Sequence, residues 1–263
     1  ALGTFGVGVY GLWHYGRDLP DYKQLANYEP PTVTRLHAGD GRLIAEYAKE
    51  RRVFVPITAM PRRVKQAFIA AEDQNFYSHY GVDFIALARA MLTNISNYTQ
   101  GRRPVGASTI TQQVAKNFLL SNEVSIERKI KEAILAFRIE RTLSKDRILE
   151  LYLNEIYLGY SSFGVAAAAL NYFNKSMDEL TIAEVAYLAA LPKAPNNYHP
   201  LRKQKAARDR RNWVVGRMLE EGFIKQDTAR VAWKAPLAVV SRDAPQFVVA
   251  DFFVEEVRRE LIG

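Results

Sequence analysis

Apolar residues recur at helical spacing along most of the chain from Arg62 onward. Val64, Phe68 and Ala71, for example, stand at positions i, i+4 and i+7, which places them on one face of an amphipathic helix. The same periodicity predicts further helices over five segments, roughly Ala107–Leu119, Ser125–Arg141, Lys145–Leu158, Ile182–Leu191 and Leu201–Glu221. The pattern therefore predicts a mainly α fold.

Short β-prone runs lie near both ends of the chain. Thr32–Leu36 and Arg42–Tyr47 flank a Gly-Asp-Gly turn sequence, which predicts a β-hairpin. Leu237–Val249 is the β-prone run near the other end, and Asp251–Leu261 after it has a helical pattern. We therefore expect only minor β structure, confined to the two ends.

Two neighbouring segments carry opposite polarity. Phe84–Leu92 is apolar on nearly all sides, which indicates either deep burial or contact with lipid, and Phe118–Leu120 has the same two interpretations. Asn94–Gly106 is polar and contains Gly, Pro and two Arg, so it is predicted to be a mobile loop.

The first residues, Ala1–Gly16, contain no Asp, Glu, Lys or Arg and are rich in Gly and aromatics. A transmembrane helix needs about 20 apolar residues, so this run is too short to span a bilayer by itself. Arg17 and Asp18 end it abruptly, and we interpret it as the C-terminal part of a transmembrane anchor. A buried core helix and the remnant of a secretion signal are the alternatives.

The composition of the chain excludes several kinds of functional site. The chain has no cysteine, which excludes a disulfide scaffold, a zinc–thiolate site, an iron–sulfur cluster and a Cys nucleophile. Its 36 Lys and Arg against 28 Asp and Glu give a net charge of +8. The excess predicts an anionic partner, which by charge alone is a nucleic acid, a phosphate or a lipid surface.

The first candidate site is the run Glu72–Gly81. On a continuous helix Glu72, Phe76 and His79 would share one face, beside the second carboxylate of Asp73. An apolar neighbour raises the pKa of a carboxylate toward a value useful to a general base. The alternative is a capped surface helix with an ion-paired His.

Two basic and polar runs follow. In Gly106–Asn117, Ser108 and Thr109 are candidate helix N-cap residues, and amides at such a helix end attract anions. Thr109, Gln113 and Lys116 or Asn117 form a polar stripe on this helix, for which a solvated surface is the alternative. In Arg128–Glu132 two cations lie beside a carboxylate, which suits an anion clamp, although an ordinary surface salt bridge would have the same spacing. Together the three runs indicate a reaction on a sugar whose leaving group is a phosphate.

Five long blocks occur in a fixed order and together span roughly half the chain: Glu72–Gly81, Gly106–Asn117, Arg128–Glu132, Arg147–Phe173 and Leu180–Pro200. In sequence and order they resemble the peptidoglycan glycosyltransferases of family 51. This family forms the transglycosylase module of class A penicillin-binding proteins and of monofunctional relatives. The resemblance implies a lysozyme-like helical head and a smaller, membrane-associated jaw lobe.

The resemblance also implies an activity and a set of roles. The family polymerises lipid II by inverting transfer of the growing chain from undecaprenyl pyrophosphate to the 4-hydroxyl of an acceptor lipid II. Glu72 would be the general base, and Glu132 a second carboxylate near the pyrophosphate or a divalent cation, Mg or Mn. Lys116, Arg128 and Lys129 would stabilise the leaving pyrophosphate. The residues expected to line the cleft are Asp73, Phe76, His79, Ser108, Thr109, Gln112, Gln113, Asn117, Asn154 and Tyr157.

The implied organisation is an anchor over residues 1–16, a linker and hairpin over 17–60, a glycosyltransferase domain over 61–222 and a connector over 223–263. No Ser has a Lys three residues later, so a transpeptidase nucleophile motif is absent from this sequence. Leu237–Leu261 extends past the fifth block and resembles the start of a connector, so we expect the N-terminal part of a bifunctional protein, with a complete monofunctional enzyme as the alternative. Expected partners are lipid II, the growing glycan, the membrane and other cell-wall synthesis proteins, and no organic cofactor is expected. The expected location is the bacterial cytoplasmic membrane, with the catalytic domain on its outer side.

Two other functions are compatible with the residue patterns. A lysozyme-like hydrolase or lytic enzyme would use the same scaffold and one Glu, but it would not need the pyrophosphate-binding cations. A helical nucleic-acid-binding domain would use the basic run that begins at Arg202 and ends at Arg211. We favour the glycosyltransferase and expect no nucleic-acid partner.

Overall fold

The computed structural model describes residues 15–17, 19–28, 34–37, 43–47, 51–101, 106–121, 123 and 125–240. Most of these residues are helical, which confirms the mainly α prediction. The longer helices are α1 (Arg62–Glu72), α2 (Phe84–Thr99), α3 (Ile110–Leu119), α4 (Ile126–Thr142), α5 (Lys145–Glu155), α6 (Val165–Phe173), α7 (Ile182–Ala190), α8 (Gln204–Glu220) and α9 (Gln226–Lys234). No helix in the described part of the chain is both long enough and apolar enough to cross a bilayer.

The β structure is as limited as the sequence predicts, but it is not confined to the two ends, because one strand lies in the middle of the chain. The strands are β1 (Thr34–His37), β2 (Leu43–Tyr47), β3 (Arg51–Arg52) and β4 (Ser162–Phe163). β1 and β2 pair antiparallel, which confirms the hairpin, and β3 pairs parallel with β4. The β-prone run Leu237–Val249 forms no strand as far as Val240, and its remainder, like Asp251–Leu261, lies outside the described residues.

The core is built around α7, whose side chains are buried on every face from Val185 to Leu191. α7 packs against α8 and α1, while α3 packs against α4 and α5. Gly164 permits the close approach of α6 to the end of α5, because a Cβ there would lie 2.5 Å from the Asn154 carbonyl oxygen. Burying apolar side chains of this kind is the main favourable contribution to folding.

The helix predicted to run from Glu72 to Gly81 ends at Glu72. Asp73 leaves the helical conformation, and its buried carboxylate accepts a hydrogen bond from the Ile110 amide at 2.9 Å. The chain then turns back, and at Gly81 (φ +89°) it passes so close to α4 that a Cβ would lie 2.7 Å from the Ala136 carbonyl carbon. The prediction that Glu72, Phe76 and His79 share a helical face is therefore wrong.

The predicted loop Asn94–Gly106 is also wrong over its first part, because α2 continues to Thr99. The first glycine comes only at Gly101, and the hydroxyls of Thr93 and Thr99 donate to backbone carbonyls of α2 itself. Residues 102–105 lie outside the described part.

The apolar run in α2 is not buried. Ile85 and Leu92 are 70% and 71% exposed, and Ile95 and Tyr98 extend the exposed surface toward the end of the helix. Of the two interpretations of this run, burial is excluded and contact with lipid is retained. The opposite holds for Phe118–Leu120, which packs against the core.

The segment after residue 222 contains a helix that the sequence analysis does not predict. α9 packs on α8 through Ala229 and Ala232. Arg211, which is fully buried, donates to the carbonyl oxygens of Trp233 and Ala235 at the end of α9. A cation at a helix C-terminus is stabilised by the carbonyl dipoles there.

Candidate active site

A cleft of about 400 Å³ lies where the end of α1, the start of α4 and one face each of α3 and α8 come together. Its lining includes most of the predicted polar residues: Glu72, Ser108, Gln112, Gln113, Lys116, Arg128, Lys129 and Glu132. The three sequence runs singled out above therefore do meet in space, although they are separated along the chain.

Glu72 is the last residue of α1 and stands half-buried in the cleft wall. Its Oε2 accepts a hydrogen bond from Nε2 of Gln113 at 2.9 Å. Burial raises the pKa of Glu72 above the ordinary carboxyl value, and this rise is partly offset by the Gln113 bond and by the charges of Arg210 and Lys193. A carboxylate with a raised pKa, aimed into a cleft, is suited to accept a proton.

The next residue, Asp73, has a positioning task. Besides the Ile110 amide, its carboxylate contacts Nε2 of His79 at 3.0 Å, and it is 7% exposed. Asp73 thus joins the end of α1 to the start of α3. Because Glu72 and Asp73 are adjacent in the chain, the hydrogen bond from Ile110 to Asp73 also fixes the position of Glu72 relative to α3.

The backbone amides at the start of α3 are bonded within the protein. Thr109 and Gln112 form a reciprocal capping box, and the Thr109 hydroxyl donates to the Gly81 carbonyl at 2.6 Å. The predicted anion-binding helix end is therefore occupied in part by Asp73 and Thr109 themselves. What the cap provides instead is a fixed rotation of α3, which turns Gln113 and Lys116 into the cleft.

Glu132 lies at the inner end of the cleft and is 1% exposed. Its two oxygens accept from Arg128 and from Lys129, whose Nζ lies 2.6 Å away and also donates to the Ser108 hydroxyl. Both oxygens are thus already paired with cations. No group of three or more acidic or His side chains in the described part of the chain is arranged to hold a metal ion. The donor set does not fit the predicted divalent cation at Glu132.

Three further cations line the cleft without a carboxylate partner within the described ranges: Lys116, Lys193 and Arg210. Burial and the nearby charge of Arg210 lower the pKa of Lys193, while Glu72 raises it. Cations that are partly removed from water and are not paired in a salt bridge are a favourable place for an anionic ligand.

Sequence reasoning missed Lys193, Arg210 and the neighbouring Trp213. Lys193 lies within the fifth block, and Arg210 lies in the basic run from Arg202 to Arg211. The sequence therefore marks both residues, but it does not indicate that they line the cleft. Their position depends on α8 crossing α1 and α7, which no local pattern predicts.

A second pocket of about 450 Å³ adjoins the first. It extends from Glu72 and Asp73 toward α2, with Asp83, Arg89 and Thr93 in its wall. The two pockets share five residues: Ala71, Glu72, Gly106, Ser108 and Trp213. Glu72 therefore stands at the junction of two adjacent binding spaces.

Five predicted cleft residues lie in neither pocket. Phe76 is fully buried beneath the ammonium of Lys145, and His79 is held against Asp73. Asn117 lies on the exposed side of α3. Asn154 is buried and bonds both backbone polar groups of Val55, so it fixes that segment instead. Tyr157 packs against Phe163, with ring centroids 5.0 Å apart. These five residues therefore lie outside both pockets.

Comparison with known proteins gives a consistent result. The family described as Transglycosylase matches residues 40–219. Penicillin-binding protein 1A of Rickettsia felis is 55% identical over 257 residues, covering 98% of this chain and 32% of its own length. The protein of that name from Aquifex aeolicus is 46% identical over 242 residues, covering 92% and 33%.

A solved structure agrees with these relatives. The crystal structure of Penicillin-Binding Protein 1A from Haemophilus influenzae superimposes with a TM-score of 0.50 at 30% identity, over 89% of this chain and 25% of that one. The chain thus spans about a third, or less, of the length of these proteins.

Proposed function

Since this chain belongs to the transglycosylase family, we propose that it polymerises lipid II into the glycan strands of peptidoglycan. One observation carries the proposal. A carboxylate with a raised pKa stands at the junction of two pockets, one of which is lined by Lys116, Lys193 and Arg210, which form no salt bridge within the described residues. A transfer reaction between two bulky substrates, one with an anionic leaving group, needs this combination.

The donor occupies the cationic pocket. The pyrophosphate that carries the growing chain lies among Lys116, Lys193 and Arg210. Their charges stabilise the negative charge that develops as the bond from the anomeric carbon to the phosphate oxygen breaks. No protein acid is needed, because the pyrophosphate leaves as an anion with the bonding electron pair.

The acceptor lipid II occupies the second pocket, with its 4-hydroxyl against Glu72. Glu72 takes the hydroxyl proton while the oxygen attacks the anomeric carbon of the donor from the face opposite the pyrophosphate. One displacement converts the α-linked donor into a β-1,4 link. Holding both sugars in adjacent pockets supplies much of the rate, because the step becomes effectively intramolecular.

Glu132 has a different task in this proposal. It neutralises and orients Arg128 and Lys129, so these two cations reach the donor as a fixed fork instead of as mobile charges. No step runs through a divalent cation. Adding a chelator to the polymerisation assay tests the metal prediction, and loss of activity that Mg or Mn restores would support it.

The exposed apolar face of α2 supports contact between a membrane surface and the region beside the second pocket, because Ala86, Arg89 and Thr93 of the same helix line that pocket. We therefore place the domain on the outer face of the bacterial cytoplasmic membrane, where both lipid substrates would enter from the bilayer. Partner proteins of cell-wall synthesis stay a prediction.

The membrane contact has a matched test. Leu92 on α2 and Val231 on α9 are both 71% exposed. Leu92→Glu should abolish co-flotation with phospholipid vesicles, while Val231→Glu should leave it unchanged. Equal flotation of the two variants would remove α2 from the contact.

The activity itself is tested with labelled lipid II. The protein should lengthen glycan, and Glu72→Gln should abolish elongation while leaving donor binding largely intact. Arg210→Ala and Lys193→Ala should each weaken donor binding by about tenfold or more, as expected for hydrogen bonds to charged groups. Arg208→Ala, on the exposed side of the same helix as Arg210, is the control. Shortening of finished glycan without elongation would establish the hydrolase alternative instead.

A further inference from the structure

Trp213 has an unusual position for a tryptophan. It lies on α8, is 43% exposed and lines both pockets. Among the five residues that the pockets share, only Glu72 and Trp213 have side chains longer than two heavy atoms. A sugar that touches Glu72 at the junction therefore has the indole ring as its other large neighbour.

One face of this ring is already fixed. The guanidinium of Arg210, one turn earlier on α8, stacks 3.8 Å from the ring centroid. Such a stack stabilises the orientation of both groups. Within the described residues, the indole N–H of Trp213 donates no hydrogen bond to the protein, and the exposed side chain leaves this donor accessible to a ligand.

A second tryptophan on the neighbouring helix provides the contrast. Trp233 on α9 packs against the core, and its N–H donates to the Asn212 carbonyl at 3.1 Å. Trp233 therefore has the contacts expected of a structural tryptophan. Trp213 lines both pockets with a ring that is stacked on Arg210 and with an N–H that has no protein partner within the described residues, which are features suited to a ligand.

We infer that Trp213 is the sugar-positioning residue at the junction, packing against the acceptor sugar whose hydroxyl Glu72 deprotonates. The inference rests on the proposed function. Sugar rings present a C–H face that packs on an aromatic ring and hydroxyls that accept an N–H. The indole would hold the acceptor ring at a fixed angle to Glu72, while Arg210 behind it faces the pyrophosphate.

The kinetic test compares ring, shape and site. Trp213→Leu should lower kcat/KM for the acceptor by about tenfold or more, the scale of a lost specific contact. Trp213→Tyr, which keeps a ring and a polar hydrogen, should recover most of this loss. Trp233→Phe, which removes the same N–H outside the cleft, should leave the kinetics unchanged. If Trp213→Leu is folded and polymerises like the parent protein, the inference fails.

A spectroscopic test separates the sugar from the pyrophosphate. A lipid-free N-acetylglucosaminyl-N-acetylmuramic acid disaccharide should change the tryptophan emission of the parent protein and of Trp233→Phe, and should not change that of Trp213→Phe. Inorganic pyrophosphate is the second probe. A response to pyrophosphate without a response to the disaccharide would mean that the ring serves only Arg210, and would overturn the inference. If the parent protein fails to polymerise lipid II, the proposed function fails while the emission change still reports on sugar binding.

Discussion

The hydrogen bond from Gln113 to Glu72 makes the ionisation of the proposed base testable. Nε2 of Gln113 lies 2.9 Å from Oε2 of Glu72, and this bond holds the pKa of the carboxyl lower than burial alone would. Gln113→Leu keeps the approximate shape of the side chain and removes the donor. The half-buried carboxylate then loses a partner that favours its charged form, so its pKa should rise further.

The size of the effect follows from the type of bond. A hydrogen bond to a charged group contributes about 1.5–3 kcal/mol. Since about 1.4 kcal/mol corresponds to a factor of ten, the ionised fraction of Glu72 should fall by about 10- to 100-fold at a pH below its pKa. The base works only when ionised, so the acidic limb of the rate profile should move to higher pH in the variant, and the rates at high pH should converge.

The assay is the initial rate of lipid II polymerisation across a pH series. Gln204→Leu, at the exposed start of α8 and outside both pockets, is the matched control and should follow the parent profile. A uniform loss at every pH, with the acidic limb unmoved, would mean that Gln113 acts on the substrate and not through Glu72. An unchanged profile would remove Glu72 from the role of a titrating base.

Three further predictions concern stability. Burial raises the pKa of Glu72 in the folded state, so the parent protein should lose stability as pH rises through that pKa. Glu72→Gln should therefore have a higher melting temperature than the parent at neutral pH. The difference between the two melting temperatures should narrow toward pH 4.5, the ordinary carboxyl value. Asp73→Asn should lower the free energy of unfolding by about 1–3 kcal/mol in urea denaturation, because a buried charged link between α1 and α3 is weakened; an unchanged midpoint would contradict this. Gly164→Ala should lower the free energy of unfolding by about 3 kcal/mol or more, because its Cβ would clash with Asn154 and its φ is +80°. Gly216→Ala, inside α8 with open space at its Cβ, should raise it by about 0.5–1 kcal/mol. Equal melting temperatures for the two variants would refute the argument.

Local sequence predicted the helices well, because their apolar spacing and their caps are local features. Ser125 and Ser144 begin α4 and α5 as N-caps, as residues of this type commonly do. The same reasoning failed after Glu72. There the helix ends because Asp73 bonds an amide 37 residues away, and no local pattern contains that partner.

Only part of the candidate site could be predicted from the sequence, again because only local features are visible there. Residues that stand within one helical face, such as Gln113 and Lys116, were assigned to the cleft together. Phe76 and Asn154 belong to equally distinctive sequence blocks, but they are buried in the structure and serve packing or the backbone. Sequence blocks mark both kinds of residue alike, and only the packing of the helices separates them.

The cations that line the cleft have a consequence for the stability of the protein. Burial lowers the pKa of Lys193 and the nearby charge of Arg210 lowers it further, while Glu72 partly offsets both, so holding these two cations close together is unfavourable. The fold therefore tolerates a local destabilisation that its apolar interior must outweigh. An anion bound between these side chains would relieve it, so an anionic ligand should raise the melting temperature of the protein.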